Sequence, residues 1–219
     1  MRNHNGRLIK ETLQEMLDPA RTAVIAIDIQ NDFFAPEGVF ARAGRDMGLA
    51  NGQLPVMVDL IRKAQDLGVM TVFVRQVTLP DSQGDSPAWL RLKLRDGKSS
   101  DYTLPGSWGA AFCDGIIPRA QDPVIDKMRP DAFHKTALDL VLRANGIETV
   151  VFLGANTEGC VESTVRSAAH HDYYTIVAED AVASSNAAYH DASLALMRNR
   201  FMVAPSEEIL TLLVRADGA

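Results

Sequence analysis

The chain has 219 residues, of which 47% are hydrophobic and 23% charged, and its formal net charge at pH 7 is −6. No run approaches the roughly 20 apolar residues of a membrane-spanning helix, and no basic stripe is present to bind nucleic acid. The polar N-terminus lacks the apolar core of a signal peptide, and two cysteines, Cys113 and Cys160, do not suggest a disulfide framework. These features predict a cytoplasmic protein without a membrane or nucleic-acid partner.

Strand-like and helix-like segments alternate along the chain, after a candidate leading helix over residues 8–17. Such an alternation predicts an α/β fold with a parallel sheet covered on both faces, in which ligands bind beyond the carboxyl ends of the strands. Apolar runs predict strands at 21–27, 69–74, 123–126, 149–153, 174–178 and 201–204. Helical spacing predicts helices at 54–67, 136–145, from 160 onward, 191–199 and 207–215.

Residues 76–122, called the excursion below, are the least regular part of the chain. They contain four prolines and a short basic helix candidate at 88–95. A connection of this length inside a compact domain is usually a lid or a binding segment. A floppy surface insertion is the alternative, but Trp89 and Trp108 favour a packed excursion that walls a site.

Three reactive side chains follow predicted strands at their carboxyl ends: Asp28, Lys127 and Cys160. Cys160 lies where a strand passes through a turn into a helix, and the unpaired amides and dipole of a helix start favour a thiolate. Simpler interpretations stay open for each residue taken alone. Cys160 then only packs in the core, Asp28 caps a turn, and Lys127 is solvated.

A thiol, a carboxylate and an ammonium at one sheet edge suit attack on an amide carbonyl. Cys160 would attack as thiolate, Asp28 would take its proton as general base, and Lys127 would hold the negative charge. Backbone N–H groups of residues 156–160 would receive the oxyanion. Asp28 would then pass the proton to the departing amine and activate the water that cleaves the thioester.

The sequence resembles the isochorismatase-like cysteine hydrolases, which include nicotinamidases, N-carbamoylsarcosine amidohydrolases, ureidoacrylate hydrolases and biuret hydrolases. The matching segments are 26–33 (AIDIQNDF), Lys127 with 131–139, and 154–164 (GANTEGCVEST). The resemblance covers the chain from about residue 20 to its end, apart from the excursion. It implies a Rossmann-like, three-layer fold with a six-stranded parallel sheet, which predicts one domain over 1–219.

The resemblance also implies roles for individual residues. The family's Asp-Lys-Cys triad maps onto Asp28, Lys127 and Cys160, in agreement with the chemistry above. A cis peptide bond would join Ala155 to Asn156, and the amides of Asn156 and Cys160 would be the oxyanion donors. Relatives are commonly homo-oligomers, and the same is expected here.

The resemblance further implies a protein without a bound metal. Nicotinamidase-type relatives bind a metal through an Asp-x-His…His cluster after the second strand, whereas residues 75–85 contain no histidine. The five histidines elsewhere lack ligand spacing. We therefore expect neither a metal nor another cofactor.

The segment 104–108 (LPGSW) and the CVEST run at 160–164 look most like the ureido and biuret-type branch. Phe33 and Trp108 are candidate flat walls for a planar substrate, or else plain core residues. The sequence thus predicts a metal-free cysteine hydrolase that cleaves a linear C–N bond of a small amide or ureido (carbamoyl) compound. The alternatives are a non-covalent ether hydrolase with an idle Cys160 and a catalytically silent binding protein.

Overall fold

The computed structural model describes residues 1–95 and 99–216, with the side chains of residues 215 and 216 excluded. At the N-terminus, β1 (Arg2–His4) and β2 (Arg7–Ile9) form a two-stranded antiparallel sheet. The predicted helix at 8–17 is therefore wrong in its first part, and only α1 (Leu13–Met16) is helical, capped by the Thr12 side chain. The tight turn at Asn5 and Gly6, both with positive φ, closes the hairpin.

A six-stranded parallel sheet forms the centre of the fold and confirms the predicted fold class. Its strands are β3 (Thr22–Ile27), β4 (Met70–Gln76), β5 (Val124–Lys127), β6 (Thr149–Ala155), β7 (Tyr174–Ala183) and β8 (Met202–Ala204). Their spatial order is β5-β4-β3-β6-β7-β8, so the chain reverses its direction of winding between β3 and β6. Ligands bind to sheets of this kind at such a switch point.

Helices cover both faces of the sheet, and each face has its own apolar core. The helices are α2 (Asn31–Phe34), α3 (Val39–Arg42), α4 (Gly48–Asp66), α5 (Pro87–Lys93), α6 (Leu138–Ala144), α7 (Glu162–His170), α8 (Ala187–Arg198) and α9 (Ser206–Ala216). Val24 and Ala26 of β3 pack in the core that contains α4 and α9, while Ile25 and Ile27 pack with α6, α7 and α8. This alternation gives the predicted three layers.

The observed elements differ from the sequence predictions mainly at their ends. The largest shift is in α4, which begins at Gly48 rather than at residue 54. Gly48 and Gly52 are poor helix formers, and Pro55 lies inside the helix, so the helical spacing is clear only after them. None of the helices within the described ranges is long and apolar enough to cross a membrane.

The excursion connects β4 to β5 and is as irregular as expected. Its described part contains α5 and two short 3-10 turns, Pro80–Ser82 and Trp108–Ala110. An isolated bridge between Gln30 and Phe112 ties it to the segment after β3. The arrangement of the whole chain as one domain stays a prediction.

Candidate active site

The sheet brings the carboxyl ends of β3, β5 and β6 to one edge, next to the switch point. Asp28 follows β3, Lys127 is the last residue of β5, and Cys160 follows β6. Strand register sets their spacing, because Ile27 pairs with Gly154 and Gln76 pairs with Lys127. The three residues that the sequence predicted as a triad therefore lie together.

Gly154 allows β6 to approach β3 closely just before the turn that carries Cys160. A Cβ atom at this position would lie 2.0 Å from the carbonyl oxygen of Ile27, and the backbone has a φ of +119°. No residue with a side chain fits that approach. Asp28, directly after Ile27, itself has a left-handed backbone with a φ of +53°.

Lys127 is the centre of the buried polar cluster. Its Nζ atom lies 2.7 Å from Asp28 Oδ2 and donates to Cys160 Sγ at 3.2 Å and to Gln76 Oε1 at 3.0 Å. The Lys127 side chain is 0% exposed and that of Asp28 1%. A solvated lysine is thus excluded, because the ammonium is buried against a carboxylate and a thiol.

Gln76 is a member of this cluster that the sequence analysis missed. Its carbonyl oxygen Oε1 orients the Lys127 ammonium, while its backbone N–H donates to Gln30 Oε1 at 2.8 Å. The Gln30 amide returns a hydrogen bond to the Gln76 carbonyl at 3.1 Å. Gln76 therefore contacts the cation directly, and the Gln30 side chain holds the backbone of Gln76. Gln30 is part of the QND sequence that follows Asp28, and Gln76 directly ends β4.

Cys160 lies in a single π-helical turn, Thr157–Val161, between β6 and α7. Two residues of α8 anchor the turn. The Thr157 hydroxyl lies 2.8 Å from His190 Nδ1, and the Ser193 hydroxyl donates to the Thr157 carbonyl at 3.3 Å. These buried contacts fix the first residue of the turn, three residues before Cys160.

The peptide bond between Ala155 and Asn156 is cis, at the position that the resemblance implies. In the turn that follows, the N–H groups of Gly159 and Val161 both donate to the Asn156 carbonyl, at 3.0 and 3.1 Å. Those two amides are occupied. The assignment of the Asn156 and Cys160 amides as oxyanion donors stays a prediction.

Burial and charge act against each other throughout the triad. Burial raises the pKa of Asp28, although the neighbouring Lys127 ammonium pulls it down. Burial alone would lower the pKa of Lys127, but the charges of Asp28 and Cys160 outweigh burial and raise it. Burial raises the pKa of the Cys160 thiol to about 12, with Lys127 opposing and Asp28 reinforcing the shift.

The prediction that the location of Cys160 by itself favours a thiolate is therefore wrong for the empty site. A helix dipole contributes at most about 2 kcal/mol, and desolvation outweighs it here, since the pKa of this thiol is raised to about 12. In addition, Cys160 lies inside a π turn, two residues before α7 begins. The carboxylate next to this thiol is that of Asp28.

The two cysteines differ in access. Cys160 is partly exposed and lines a cavity, whereas Cys113 is buried in the core, 5% exposed. Cys160 is therefore the more accessible of the two thiols.

The cavity in front of the triad has a volume of about 400 Å³, within the range of small-molecule sites. Asp28, Gln76 and Cys160 form its reactive end. Its walls come from the segment 33–45, from the excursion, from Pro130 after β5 and from residues 155–159 before Cys160. The wall residues are Phe33, Val39, Phe40, Ala43, Arg45, Trp89, Leu92, Lys93, Ser99, Tyr102, Pro130, Ala155, Asn156, Glu158 and Gly159.

Of the two residues predicted as aromatic walls, Phe33 lines the cavity and Trp108 does not. Phe33 lines the cavity and packs against Phe40 and Tyr102, with ring centroids 4.8 and 5.9 Å away. Trp108 does not line it, so its prediction as a wall is wrong. Its side chain is 53% exposed, and its contact with the segment after β3 is made by its backbone carbonyl, which accepts from the Asn31 side chain at 2.9 Å. Trp89 is the tryptophan that faces the cavity.

Asp32, which the sequence analysis passed over, joins the two wall segments. Its buried carboxylate accepts from the Val39 N–H at 3.2 Å and from the Thr103 N–H at 2.7 Å. A Cβ atom at Gly109 would lie 2.3 Å from that carboxylate, so glycine is required there. One side chain thus holds both α3 and the excursion at the mouth of the site.

Within residues 1–95 and 99–216, no group of three or more His, Cys, Asp or Glu side chains is arranged to hold a metal ion.

The chain is similar to known proteins over most of its length. Residues 22–208 match the Isochorismatase domain family. Ureidoacrylate amidohydrolase RutB of Methylobacterium radiotolerans is 35% identical over 199 residues, which cover 84% of this chain and 76% of that protein.

The fold of the chain is similar to those of two solved structures. A cysteine hydrolase from Pseudomonas syringae pv. phaseolicola superposes with a TM-score of 0.78 at 26% identity, covering 92% of this chain and 96% of the other. N-carbamoylsarcosine amidase from Thermoplasma acidophilum gives a TM-score of 0.67 at 26% identity, covering 85% and 97%.

Proposed function

Given that the chain belongs to the isochorismatase domain family, we propose that it is a cysteine hydrolase that cleaves a linear C–N bond of a small amide or ureido compound. One observation carries the proposal. The thiol of Cys160, the carboxylate of Asp28 and the ammonium of Lys127 meet at the end of a cavity of small-molecule size. Relatives named as a ureidoacrylate amidohydrolase and an N-carbamoylsarcosine amidase support the bond type.

The first step is a proton transfer inside the buried cluster. Asp28 is a stronger base than an ordinary aspartate because burial raises its pKa. When it takes the thiol proton, the thiolate that forms lies 3.2 Å from the Lys127 ammonium and is stabilised by it. Lys127 keeps its own proton, since one anion lies beside it throughout, first the Asp28 carboxylate and then the Cys160 thiolate, and each of these charges raises its pKa.

The thiolate then attacks the substrate carbonyl, and the carbonyl oxygen becomes an oxyanion that the amides of Asn156 and Cys160 receive. Collapse of this intermediate breaks the C–N bond. Asp28 gives its proton to the leaving nitrogen, which departs as ammonia or an amine and leaves an acyl or carbamoyl thioester on Cys160. Water, deprotonated by the Asp28 carboxylate, attacks the thioester and restores the thiol.

The cavity limits the substrate to a small molecule with a flat or apolar part. Phe33, Phe40, Trp89 and Tyr102 supply aromatic surface on its walls. Such walls favour a planar amide or ureido group at the reactive end.

A second candidate has an observation in its favour. Because the pKa of Cys160 is raised to about 12, the thiol is neutral in the empty site at neutral pH. A non-covalent hydrolase or a binding protein with an idle thiol shares that property. The two candidates differ in whether a covalent adduct forms during turnover.

A panel of small carbamoyl and amide substrates tests the proposal directly. Release of ammonia or amine is measured for each compound, and the mixture is then quenched in acid within one turnover and its intact mass recorded. We expect C–N cleavage and an acyl or carbamoyl adduct that maps to Cys160. Cleavage without any adduct on Cys160 would favour the non-covalent hydrolase, and binding without cleavage would favour the binding protein.

A further inference from the structure

Thr164 lies in the first turn of α7 and links two parts of the candidate active site. Its hydroxyl group accepts from the Ala132 N–H at 3.1 Å and donates to the Cys160 carbonyl at 2.7 Å. Thr164 and Ala132 are both 0% exposed. Ala132 belongs to the segment that follows Lys127 at the end of β5. One buried hydroxyl therefore joins the segment next to the ammonium to the residue that carries the thiol.

The hydrogen bonds of Thr164 go beyond what a helical threonine usually makes. A threonine hydroxyl in a helix often donates to the carbonyl four residues before it, and that bond alone has no functional meaning. Here the same oxygen also receives an N–H from Ala132, which is 32 positions away in the chain. The Pro130 carbonyl lies farther from the hydroxyl, at 3.4 Å, so the single hydroxyl proton goes to Cys160. The hydroxyl thus acts as donor and acceptor at once.

The relative position of these two segments determines the contact between the ammonium and the thiol. The Lys127 Nζ atom lies 3.2 Å from Cys160 Sγ. This ammonium opposes the rise in the pKa of the thiol that burial causes, whereas the Asp28 carboxylate adds to that rise. Because the attraction between charges weakens with distance, a separation of the two segments would leave a thiolate on Cys160 less stabilised.

We propose that Thr164 is a positioning residue, which fixes Cys160 relative to Lys127 by holding the Cys160 carbonyl and the Ala132 N–H at the same time. The inference rests on the proposed function and deepens it. Thr164 is buried and does not line the cavity. It therefore acts on the reaction through the two residues that it contacts, and not by touching the substrate.

Thr164→Val tests the assignment, because valine has the shape of threonine without the hydroxyl. Phe133 stacks on His171 with ring centroids 4.9 Å apart, which keeps the segment after β5 attached to the end of α7, so we expect a folded protein. The rate at which iodoacetamide modifies Cys160 is measured against pH by peptide mapping. We expect a profile about one pH unit higher in the variant, and thus a rate about tenfold lower at a given pH below the pKa of the thiol. The reason is the weaker stabilisation of the thiolate by Lys127.

Thr164→Ser and Thr149→Val are the matched controls. Serine keeps the hydroxyl, so Thr164→Ser should keep the original alkylation profile. Thr149 is also 0% exposed and its hydroxyl donates to the Met16 carbonyl at 2.8 Å, but it begins β6, at the end of the strand away from the triad. Thr149→Val should therefore lower the melting temperature through the lost hydrogen bond and leave the profile unchanged. If Thr164→Val does not fold, Thr164→Ala removes the same hydroxyl and should displace the profile in the same direction.

Steady-state kinetics separate this proposal from the proposed function. With a substrate from the panel, Thr164→Val should lower kcat about 10- to 100-fold, as for a small misplacement of reacting groups, with a smaller change in KM. The alkylation profile is measured without substrate. A displaced profile in a protein that cleaves no compound of the panel would therefore support the role of Thr164 and refute only the proposed function. An undisplaced profile in Thr164→Val, or an equal displacement in Thr149→Val, would overturn the proposal even if the protein is an active hydrolase.

Discussion

The reactive end of the cavity and its walls are built in different ways. The reactive end stands on the carboxyl ends of parallel strands, where backbone pairing fixes Ile27 beside Gly154 and Gln76 beside Lys127. The walls come from α3 and the excursion, which have no place in the sheet and depend on single buried side chains such as Asp32. Changes at the reactive end should therefore affect the chemical step, while changes at the walls should affect substrate binding and stability.

The largest effect is expected for Cys160→Ala. Loss of the nucleophile should lower kcat roughly 10⁴-fold or more, with the melting temperature little changed because a small apolar side chain fits the same turn. Steady-state kinetics with a substrate from the panel and a thermal melt provide the two measurements. Cys113→Ala is the control and should keep its turnover, since Cys113 is buried away from the cavity. Normal rates in the Cys160 variant would remove the covalent mechanism.

A smaller loss, about 10²- to 10⁴-fold in kcat, is expected for Asp28→Asn, which keeps the shape of the side chain but removes the base. The pH profile gives a second test. Asp28 acts only when deprotonated, so activity falls as the pH drops through its pKa. Because burial raises that pKa in the empty site above the ordinary value of 3.8, the acidic limb of kcat/KM should lie above pH 3.8. A variant with unchanged kcat, or an acidic limb that persists in it, would assign the base to another group.

Asp85→Asn tests the walls. Asp85 pairs with Lys93 at 2.8 Å, their side chains being 6% and 4% exposed, and lies 3.6 Å from Arg129. Removing the carboxylate leaves the buried Lys93 ammonium without its ion-pair partner, which costs about 3–5 kcal/mol of unfolding free energy. Since α5 carries wall residues, KM should rise while kcat changes little. Denaturant unfolding and steady-state kinetics measure both quantities.

The exposed pair between Asp59 and Lys63, at 2.6 Å on α4, is the matched control for that variant. Asp59→Asn should cost less than about 1 kcal/mol, since water already screens the pair, and should leave KM unchanged. Equal costs for the two substitutions would mean that the wall does not depend on the buried pair.

The smallest effect is expected from a chelator. Treatment with EDTA, followed by removal of the EDTA–metal complex, should leave kcat/KM unchanged. Residues 75–85 contain no histidine. The thiol and the carboxylate at the reactive end already contact the Lys127 ammonium. Activity that is lost to the chelator and restored by zinc would contradict the metal-free prediction.

The difference between the reactive end and the walls of the cavity also explains what the sequence could predict. Strands and the residues at their ends are readable, because apolar runs mark buried strands and parallel strands end at one edge. Asp28, Lys127 and Cys160 could therefore be placed together before any coordinates were known. The fold class was predictable for the same reason.

The walls could not be read in this way, because their partners are far apart in the chain. Nothing near Asp32 in the sequence indicates that it accepts from Thr103, 71 residues later. Trp108 was assigned to the pocket for its ring, whereas it contributes a backbone carbonyl. The pKa of Cys160 was also misjudged, since burial is a property of the assembled site and exceeds the local effect of the helix start.

Alkylation of the protein followed by peptide mapping and an activity assay tests the central claim, that Cys160 is the nucleophile of this site. The protein is exposed to iodoacetamide at neutral pH, and the fraction modified at each cysteine is compared with the residual turnover. We expect modification at Cys160 rather than at the buried Cys113, with turnover lost in proportion to it. Full turnover after Cys160 is modified, or inactivation that follows Cys113 instead, would contradict the account.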